Sequence, residues 1–414
     1  MRRLLPPTAS RDAPLLIATR AARGMADGIA SVLLASYLTR LGFDPVQIGA
    51  IATATLFGSA ALLLFTGLFG HRFPRRTVLL ASSALMCATG VAFYLATGFW
   101  PLLLIAFVGT LNPSAGDVTL FLPTEQAVLA EAAAPEDRTA LFAWYNLAGA
   151  FAGAFGSLAA GLPDLLAPGS AASAERAAFL VYAGIGAASA LAYRKLSGDR
   201  EPPPAVRAPP LEKSRGVVIQ LAALFSVDSF GGGFVVQSIL ALWLFRRFQV
   251  PVTTAGAIFF AMNLMAAFSQ LVSARIAARI GHVRTMVFTH LPSNLFLLLA
   301  GVMPTLPLAA LFLLLRAMVS QMDVPARQAY VMAMVPREER VAAASVTNVP
   351  RSLAAAIGPL LAGALLQRSP FGWPLVCAGL LKGGYDLALY SLFAQRPPRE
   401  SAMEGALRGK QERP

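Results

Sequence analysis

The sequence predicts an all-α integral membrane protein of twelve transmembrane helices, arranged as two pseudo-symmetric six-helix halves. Three observations carry this reading. Hydrophobic residues make up 56% of the chain and charged residues 13%, with a mean hydropathy of +0.62, whereas a soluble domain carries about a quarter charged residues. The apolar residues gather into twelve runs, each long enough to cross about 30 Å of hydrocarbon at about 1.5 Å per residue. Finally, residues 123–161 agree with residues 325–363 at thirteen of thirty-nine places after a shift of 202.

The informative matches in that repeat are Pro123/Pro325, Gln126/Gln328, Arg138/Arg340, Asn146/Asn348, Gly156/Gly358 and Gly161/Gly363, while several others are alanines, which match cheaply. Gly49-Ala50-Ile51 recurs as Gly256-Ala257-Ile258, a shift of 207, half of the 414 residues. Weak internal symmetry set within long apolar runs is what secondary transporters show. The runs must be helical, because lipid cannot satisfy an unpaired backbone amide and no period-two alternation points to a barrel.

Span 1 covers 15–38 and carries Arg20, Arg23 and Asp27. On a helix these fall at about 0°, −60° and −20°, so they share one face, and Asp27 lies about 18 Å from Leu15, near the midplane. An ionisable side chain at that depth costs at least a few kcal/mol, so it is paired, faces water or does work. Asp27 is therefore expected to face a central cavity, where it takes a proton or contacts a cationic group. A buried structural pair with Arg23 is the alternative. Spans 2 (46–69) and 3 (76–98) are apolar and joined by a turn holding Arg72, Arg75 and Arg76. Span 4 (100–128) contains Asn112-Pro113 and Asp117, a kinked polar segment, and spans 5 (139–162) and 6 (177–196) complete the first half, with Asn146 in span 5.

Residues 197–215, SGDREPPPAVRAPPLEKSR, break the apolar rhythm. They read as a cytoplasmic linker between an N-terminal half, 1–196, and a C-terminal half, 216–394, with a short polar tail over 395–414.

Span 7 (217–245) contains Asp228-Ser229-Phe230-Gly231-Gly232-Gly233, with Gln237 one turn on. Three consecutive glycines loosen a helix and expose backbone groups, so Gly231, Gly232 and Gly233 are a candidate hinge and binding element. Close packing through small residues is the competing reading. Spans 8 (253–279) and 9 (283–303) follow. In span 10 (306–334), Arg316, Asp323 and Arg327 lie within about 40° on the helical wheel. Arg316, about 16 Å from Thr305, is assigned to substrate or anion contact. Asp323 and Arg327 form an inner gate or a purely structural pair. Span 11 (341–366) holds Asn348, the match of Asn146, which reaches either the cavity or a neighbouring helix, and Arg351, which needs a partner. In span 12 (371–394), Lys382 and Asp386 are expected to neutralise each other as a structural pair.

The net charge of +13 reports topology and not a nucleic-acid partner, because the basic residues sit in particular loops. Arg72, Arg75 and Arg76, the linker, Arg275 to Arg284, Arg337, Arg340 and the tail share one side. By the positive-inside rule that side and both termini are cytoplasmic, in the inner (plasma) membrane of the cell. The first apolar run carries three charges and no cleavage site follows it, so it is expected to remain in the mature protein. Cys87 and Cys377 give neither a disulfide framework nor metal-ligand spacing. His71, His282 and His290 form no metal or acid/base constellation with neighbouring carboxylates, so no enzyme chemistry, metal or cofactor is expected.

Twelve helices, a six-plus-six repeat and a central basic linker resemble the major facilitator superfamily of secondary transporters over nearly the whole chain. The family signature between helices 2 and 3 places a glycine, an aspartate four residues on, an arginine, a glycine and two further basic residues. Here Gly67-Leu68-Phe69-Gly70-His71-Arg72-Phe73-Pro74-Arg75-Arg76 stands there, with His71 for the aspartate and Pro74 for the second glycine. A fainter copy, Ala274 to Arg284, keeps Arg279 and Gly281, and Arg138 and Arg340 match arginines that the family tends to place after helices 4 and 10. The resemblance implies that Arg72, Arg75, Arg76, Arg138 and Arg340 hold the cytoplasmic side shut, with Glu131 able to supply the missing acid. Contacts with anionic lipid head groups are the alternative for these arginines. Many proton-coupled members carry an arginine in helix 4, which this chain lacks, and antiporters often carry a glycine-proline pair in helix 5, which appears here as Gly358-Pro359 in helix 11.

The expected function is secondary active transport of a small-molecule substrate by alternating access in the lipid bilayer, by a monomer. Efflux in exchange for protons is favoured, with Asp27 and Asp228 as coupling acids. Proton symport and uncoupled uniport are the rivals, and a transporter-like sensor lies outside them. A trivalent metalloid substrate is disfavoured, since it wants several thiolates.

Overall fold

The structure, a computed structural model, describes residues 5–69, 72–114, 120–134, 136–197, 211–212 and 214–394. His71, Asp117, most of the linker and the tail lie outside the described residues. The apolar runs become α1 (Asp12–Arg40), α2 (Pro45–Phe69), α3 (Arg75–Leu95), α4 (Phe99–Val108), α5 (Leu122–Glu131), α6 (Arg138–Ala159), α7 (Leu162–Leu166) and α8 (Ala171–Tyr193). After the linker come α9 (Arg215–Gly233), α10 (Gln237–Phe248), α11 (Val252–Ile280), α12 (His282–Val302), α13 (Leu306–Val319), α14 (Asp323–Met334), α15 (Arg340–Arg368) and α16 (Trp373–Phe393). Among the described residues there is no strand, and nine helical stretches are long and apolar enough to cross a membrane. The other three expected crossings fall on α1, on the α4/α5 pair and on α16. Arg20, Arg23 and Asp27 lower the hydropathy of α1, and Lys382 and Asp386 that of α16. Large apolar side chains such as Leu64, Phe65, Leu68, Leu104 and Leu180 point outward, as a lipid-facing surface requires.

Three crossings are broken. Span 4 divides into α4 and α5, span 7 into α9 and α10, and span 10 into α13 and α14. A proline has no amide to donate and fits best in the first helical turn, where that amide has no helical partner in any case. Pro123 and Pro325, matched in the repeat, each sit in the first turn of the second half-helix of their crossing, α5 and α14. In span 7 the glycines end α9, and the Phe234 amide turns back to the carbonyls of Gly231 and Gly232.

By compactness the chain forms two units that do not follow the sequence halves. Unit 1 comprises residues 1–205, 235–264 and 356–373, and unit 2 residues 206–234, 265–355 and 374–414. Unit 1 therefore contains α1 to α8, α10, the start of α11 and the end of α15. Its helices meet through glycines: a Cβ on Gly24 of α1 would stand 2.5 Å from the Gly149 carbonyl of α6, and Gly28 and Gly156 are equally tight against Gly153 and Met25. Small residues let backbones approach where lipid provides no hydrophobic drive to associate.

The glycines matched by the repeat mark two equivalent crossings. Gly49 of α2 lies on the Pro359 carbonyl of α15, and Gly256 of α11 lies on the Ser157 carbonyl of α6, where 359 − 157 = 202. Gly161 on Thr253 and Gly363 on Pro45 repeat the relation. These contacts lie at the end of α1 remote from its N-terminus, since Gly42 and Pro45 follow it directly. Unit 2 packs α9, α12, α14, α15 and α16 around Leu221, Phe225, Met286, Tyr330, Ala343, Tyr385 and Phe393.

Candidate functional site

In unit 1, Arg23 leaves α1 into an enclosed polar nest, with Arg23 2% and Glu125 0% exposed. Its guanidinium is bidentate to Glu125 of α5: Nη1 donates to Oε1 at 3.0 Å and Nη2 pairs with Oε2. Tyr193 of α8 and Thr19 donate to Oε1 at 2.6 and 3.1 Å, and Tyr145 of α6 donates to Oε2 at 2.5 Å. Phe121 lies under the guanidinium, 4.1 Å from its ring centroid. Every lone-pair direction of the carboxylate is used, the condition under which a buried charge pair holds. Arg20 stretches along α6, where a Cβ on Gly149 would stand 2.5 Å from Nε, and covers the Tyr145 ring at 5.6 Å. Asp27, one turn beyond Arg23, is buried within electrostatic reach of Tyr182. Asn112 is buried in the break of span 4, its Oδ1 accepting from the Ser114 amide and hydroxyl at 3.1 and 2.8 Å.

Unit 2 holds a second buried network, centred on Asp228 of α9. Its Oδ1 accepts from Lys382 Nζ of α16 at 2.5 Å, and its Oδ2 from Arg327 Nη1 of α14 at 3.2 Å. The same Nη1 stands 3.3 Å from Asp323 Oδ2. His290 of α12 lies between two carboxylates, with Nε2 3.7 Å from Asp228 Oδ1 and Nδ1 2.9 Å from Asp386 Oδ1. Asn294 completes the set by donating to Asp386 Oδ2 at 2.8 Å. Arg351 of α15 donates through Nε to the Ser229 hydroxyl at 2.8 Å. Arg316 of α13 has a buried Nε with no hydrogen-bond partner.

Two expectations fail here. Lys382 and Asp386 do not form an isolated structural pair: Lys382 is drawn across to Asp228, and Asp386 takes His290 and Asn294. Spacing along α16 gave no sight of carboxylate and imidazole groups on α9 and α12. His290 is likewise no solitary histidine, because its carboxylate partners come from other helices.

Gly231 makes room for that arrangement, since a Cβ there would meet Lys382 Cγ at 2.8 Å. Gly232 and Gly233 lead into the break between α9 and α10. Beyond it, in unit 1, the Ser238 amide donates to the Pro113 carbonyl at 3.0 Å, so two interrupted crossings satisfy each other's backbone. Gln237 Nε2 donates to Ser31 of α1 and Ser157 of α6 at 2.9 and 3.0 Å, and Asn263 Nδ2 donates to Ser157 Oγ at 3.1 Å and Gln237 Oε1 at 3.3 Å. Asn146 and Asn348 occupy matching positions on α6 and α15, both exposed.

At the end of unit 1 nearer its N-terminus, Arg75 Nη1 pairs with Glu131 Oε1 at 2.8 Å, Arg76 donates to the Arg194 carbonyl at 2.5 Å, and Arg72 covers the Phe69 ring at 5.2 Å. Arg138 donates to the Ala133 carbonyl at 3.4 Å. In unit 2, the matched Arg340 donates to the Met332 carbonyl at 3.1 Å.

Sequence reasoning missed Glu125 as well as the role of His290. Glu125 had one usable signal, since 327 − 125 = 202 places it in the repeat opposite Arg327.

A family model described as the Major Facilitator Superfamily matches residues 16–230 and 221–411. The chain is 26% identical over 423 residues to the uncharacterized membrane protein YJR124C of Saccharomyces cerevisiae, covering 93% of this chain and 94% of that protein. Among solved structures it is similar to a mutant form of the nucleoside transporter NupG, with a TM-score of 0.72 at 15% identity over 93% of this chain and 100% of that one. The inward-open xylose transporter XylE from E. coli gives 0.71 at 13% identity over 92% and 96%. The human organic anion transporter MFSD10 gives 0.66 at 18% over 94% and 99%.

Proposed function

The chain belongs to the Major Facilitator Superfamily, and from that premise we propose that it is a secondary active transporter of a small solute, exporting it in exchange for protons by alternating access. The observation that carries coupling is the imidazole of His290 between Asp228 and Asp386. A neutral imidazole has one N–H and can donate to one carboxylate, whereas a charged one donates to both. Gaining or losing that proton therefore changes how strongly Asp228 leans on Lys382 and Arg327, both of which hold α9 to other helices. Asp228 is the coupling acid of the C-terminal half. Asp27, buried one turn beyond Arg23 on α1 and within electrostatic reach of Tyr182, is that of the N-terminal half. Gly358-Pro359 is what favours export.

The two gates are proposed from the contacts at either end. Gln237, with Ser31 and Ser157, closes the outer end. Arg72, Arg75, Arg76, Glu131, Arg138, Asp323, Arg327 and Arg340 act at the inner end, with both termini cytoplasmic in the plasma membrane. Gly231 to Gly233 and the breaks of spans 4 and 10 supply the pivots.

The test is transport by the purified protein in liposomes under an imposed pH gradient, across a panel of metabolites and toxic compounds. Solute should move against the proton flow, and Asp27→Asn should abolish driven movement while leaving exchange of one substrate molecule for another. Driven transport that is unchanged in Asp27→Asn removes that acid from the mechanism. Movement with the proton flow makes the protein a symporter.

A further inference from the structure

We infer that Arg316 and Arg351 form the binding site for an oxyanion group, so that the transported solute is a carboxylate or phosphate compound. This rests on the transport reading for the word solute but not for the site. Around Asp228, unit 2 gathers Arg316, Arg327, Arg351 and Lys382 with Asp323 and Asp386, four cations to three carboxylates with His290 counted as uncharged, while Arg215, Arg275, Arg279, Arg284 and Arg340 lie toward the ends of their helices. All three carboxylates are already engaged. Lys382 and Arg327 take Asp228, Arg327 also takes Asp323, and His290 with Asn294 takes Asp386.

What is left over is two guanidinium groups. Arg351 is held by the neutral hydroxyl of Ser229, and among the described residues Arg316 makes no hydrogen bond and no ion pair, with Nε buried. Both feel Asp228 electrostatically, so they belong to one charged neighbourhood. Both side chains are only half-buried, unlike Arg327, which is sealed at 4% exposure. They can therefore still be reached.

An unpaired cation at membrane depth is expensive, and a guanidinium fork matches the geometry of carboxylate and phosphate oxygens. Asn348, exposed and one turn from Arg351 on the same face of α15, adds an amide donor. One negative charge brings this group of side chains to neutrality with His290 counted as uncharged.

The experiment is equilibrium binding to the full-length protein in detergent, without any gradient, read by thermal shift and titration calorimetry. The probes are benzoate and glutarate, glycerol phosphate and inorganic phosphate, the neutral counterparts benzamide and glycerol, and the cation choline. At least one anion should stabilise the protein while its neutral counterpart does not. Arg316→Gln and Arg351→Gln should each weaken that anion by roughly tenfold or more. Should Arg316→Gln not fold, Arg316→Lys, which keeps charge but loses the fork, is expected to bind more weakly than the parent. The carboxylate and phosphate arms tell the two classes apart. Silence across all the anions, stabilisation by choline or the neutral compounds alone, or anion binding unchanged in the folded arginine variants overturns the assignment. None of these results bears on proton coupling, which the gradient experiment reads separately.

Discussion

Glu125 and Arg327 occupy the same position in the two halves of the chain, 202 residues apart, and carry opposite charges. Each is clamped by the first crossing of its own half: Glu125 by Arg23 of α1, Arg327 by Asp228 of α9. The duplication kept the ion pair and exchanged its polarity. A second exchange accompanies it. Position 149 is the glycine against which Arg20 lies, and 202 residues on, Arg351 fills the equivalent place and reaches back to Ser229 of α9. The arginine that α1 sends to α6 in one half is sent by α15 to α9 in the other.

The Arg23–Glu125 pair should behave as a structural lock. Glu125→Gln leaves the Arg23 charge buried without a counter-ion and is expected to cost about 3–5 kcal/mol. Thermal unfolding of the purified variant should show a clear drop in midpoint. The double variant Arg23→Gln with Glu125→Gln removes both charges and should recover much of the loss, because neighbours in one network are not additive. A Glu125→Gln protein as stable as the parent would mean that water reaches Arg23.

His290→Gln separates coupling from packing. Glutamine keeps donor and acceptor atoms near Asp386 but cannot gain a charge at neutral pH. Accumulation driven by a pH gradient should fall by about tenfold or more, with exchange between labelled and unlabelled substrate retained. Equal loss of both would make His290 a structural residue, and full retention of driven transport would take the proton elsewhere.

Much of the architecture was legible because the features that report it are local. Apolar run length reports crossings and Gly231 to Gly233 the break in span 7, whereas Pro123, Pro325, Gly49 and Gly256 registered the repeat without revealing the helix breaks and tight crossings they mark. Within the site, Asp323 and Arg327 could be read with Arg316 as one polar stripe, which the break between α13 and α14 interrupts, and Asp228 as a single suspicious charge at depth. Their partners could not. Lys382 lies one turn from Asp386 on α16 yet bonds to Asp228, and His290 meets its carboxylates across α9 and α16. Helical phase gives the face of a residue on its own helix, but not which of the other helices that face meets. Glu125 stands within the repeat opposite Arg327, and that alignment with a charge of opposite sign was its one signal in the sequence.

Arg327→Ala should loosen the inner end. Removing it frees Asp228 and Asp323 from their shared guanidinium, leaving two carboxylates to repel each other. Cysteines introduced on α14 and α15 should react faster with a membrane-impermeant thiol reagent added from the cytoplasmic side. No change in reactivity would leave Asp323 and Arg327 a pair that merely stabilises α14.

The outer end should respond in the opposite sense to bulk at its glycine crossings. Gly49 and Gly256 touch carbonyls of α15 and α6 so closely that any side chain displaces a helix. Gly49→Leu and Gly256→Leu therefore penalise the state in which these crossings are made, while leaving the residues free of clash once the crossings part. Because the two contacts are equivalent under the repeat, the two variants should act alike. Each should raise labelling of a cysteine placed at Ser31, beside Gln237, by a reagent added from outside, and each should slow net transport without abolishing substrate binding. Gly42, where an added Cβ would meet nothing within 4 Å, is the control position, although its φ of +85° confines the control to Gly42→Asn. Unchanged labelling in both leucine variants would show that α2 and α11 do not part from α15 and α6 during the cycle.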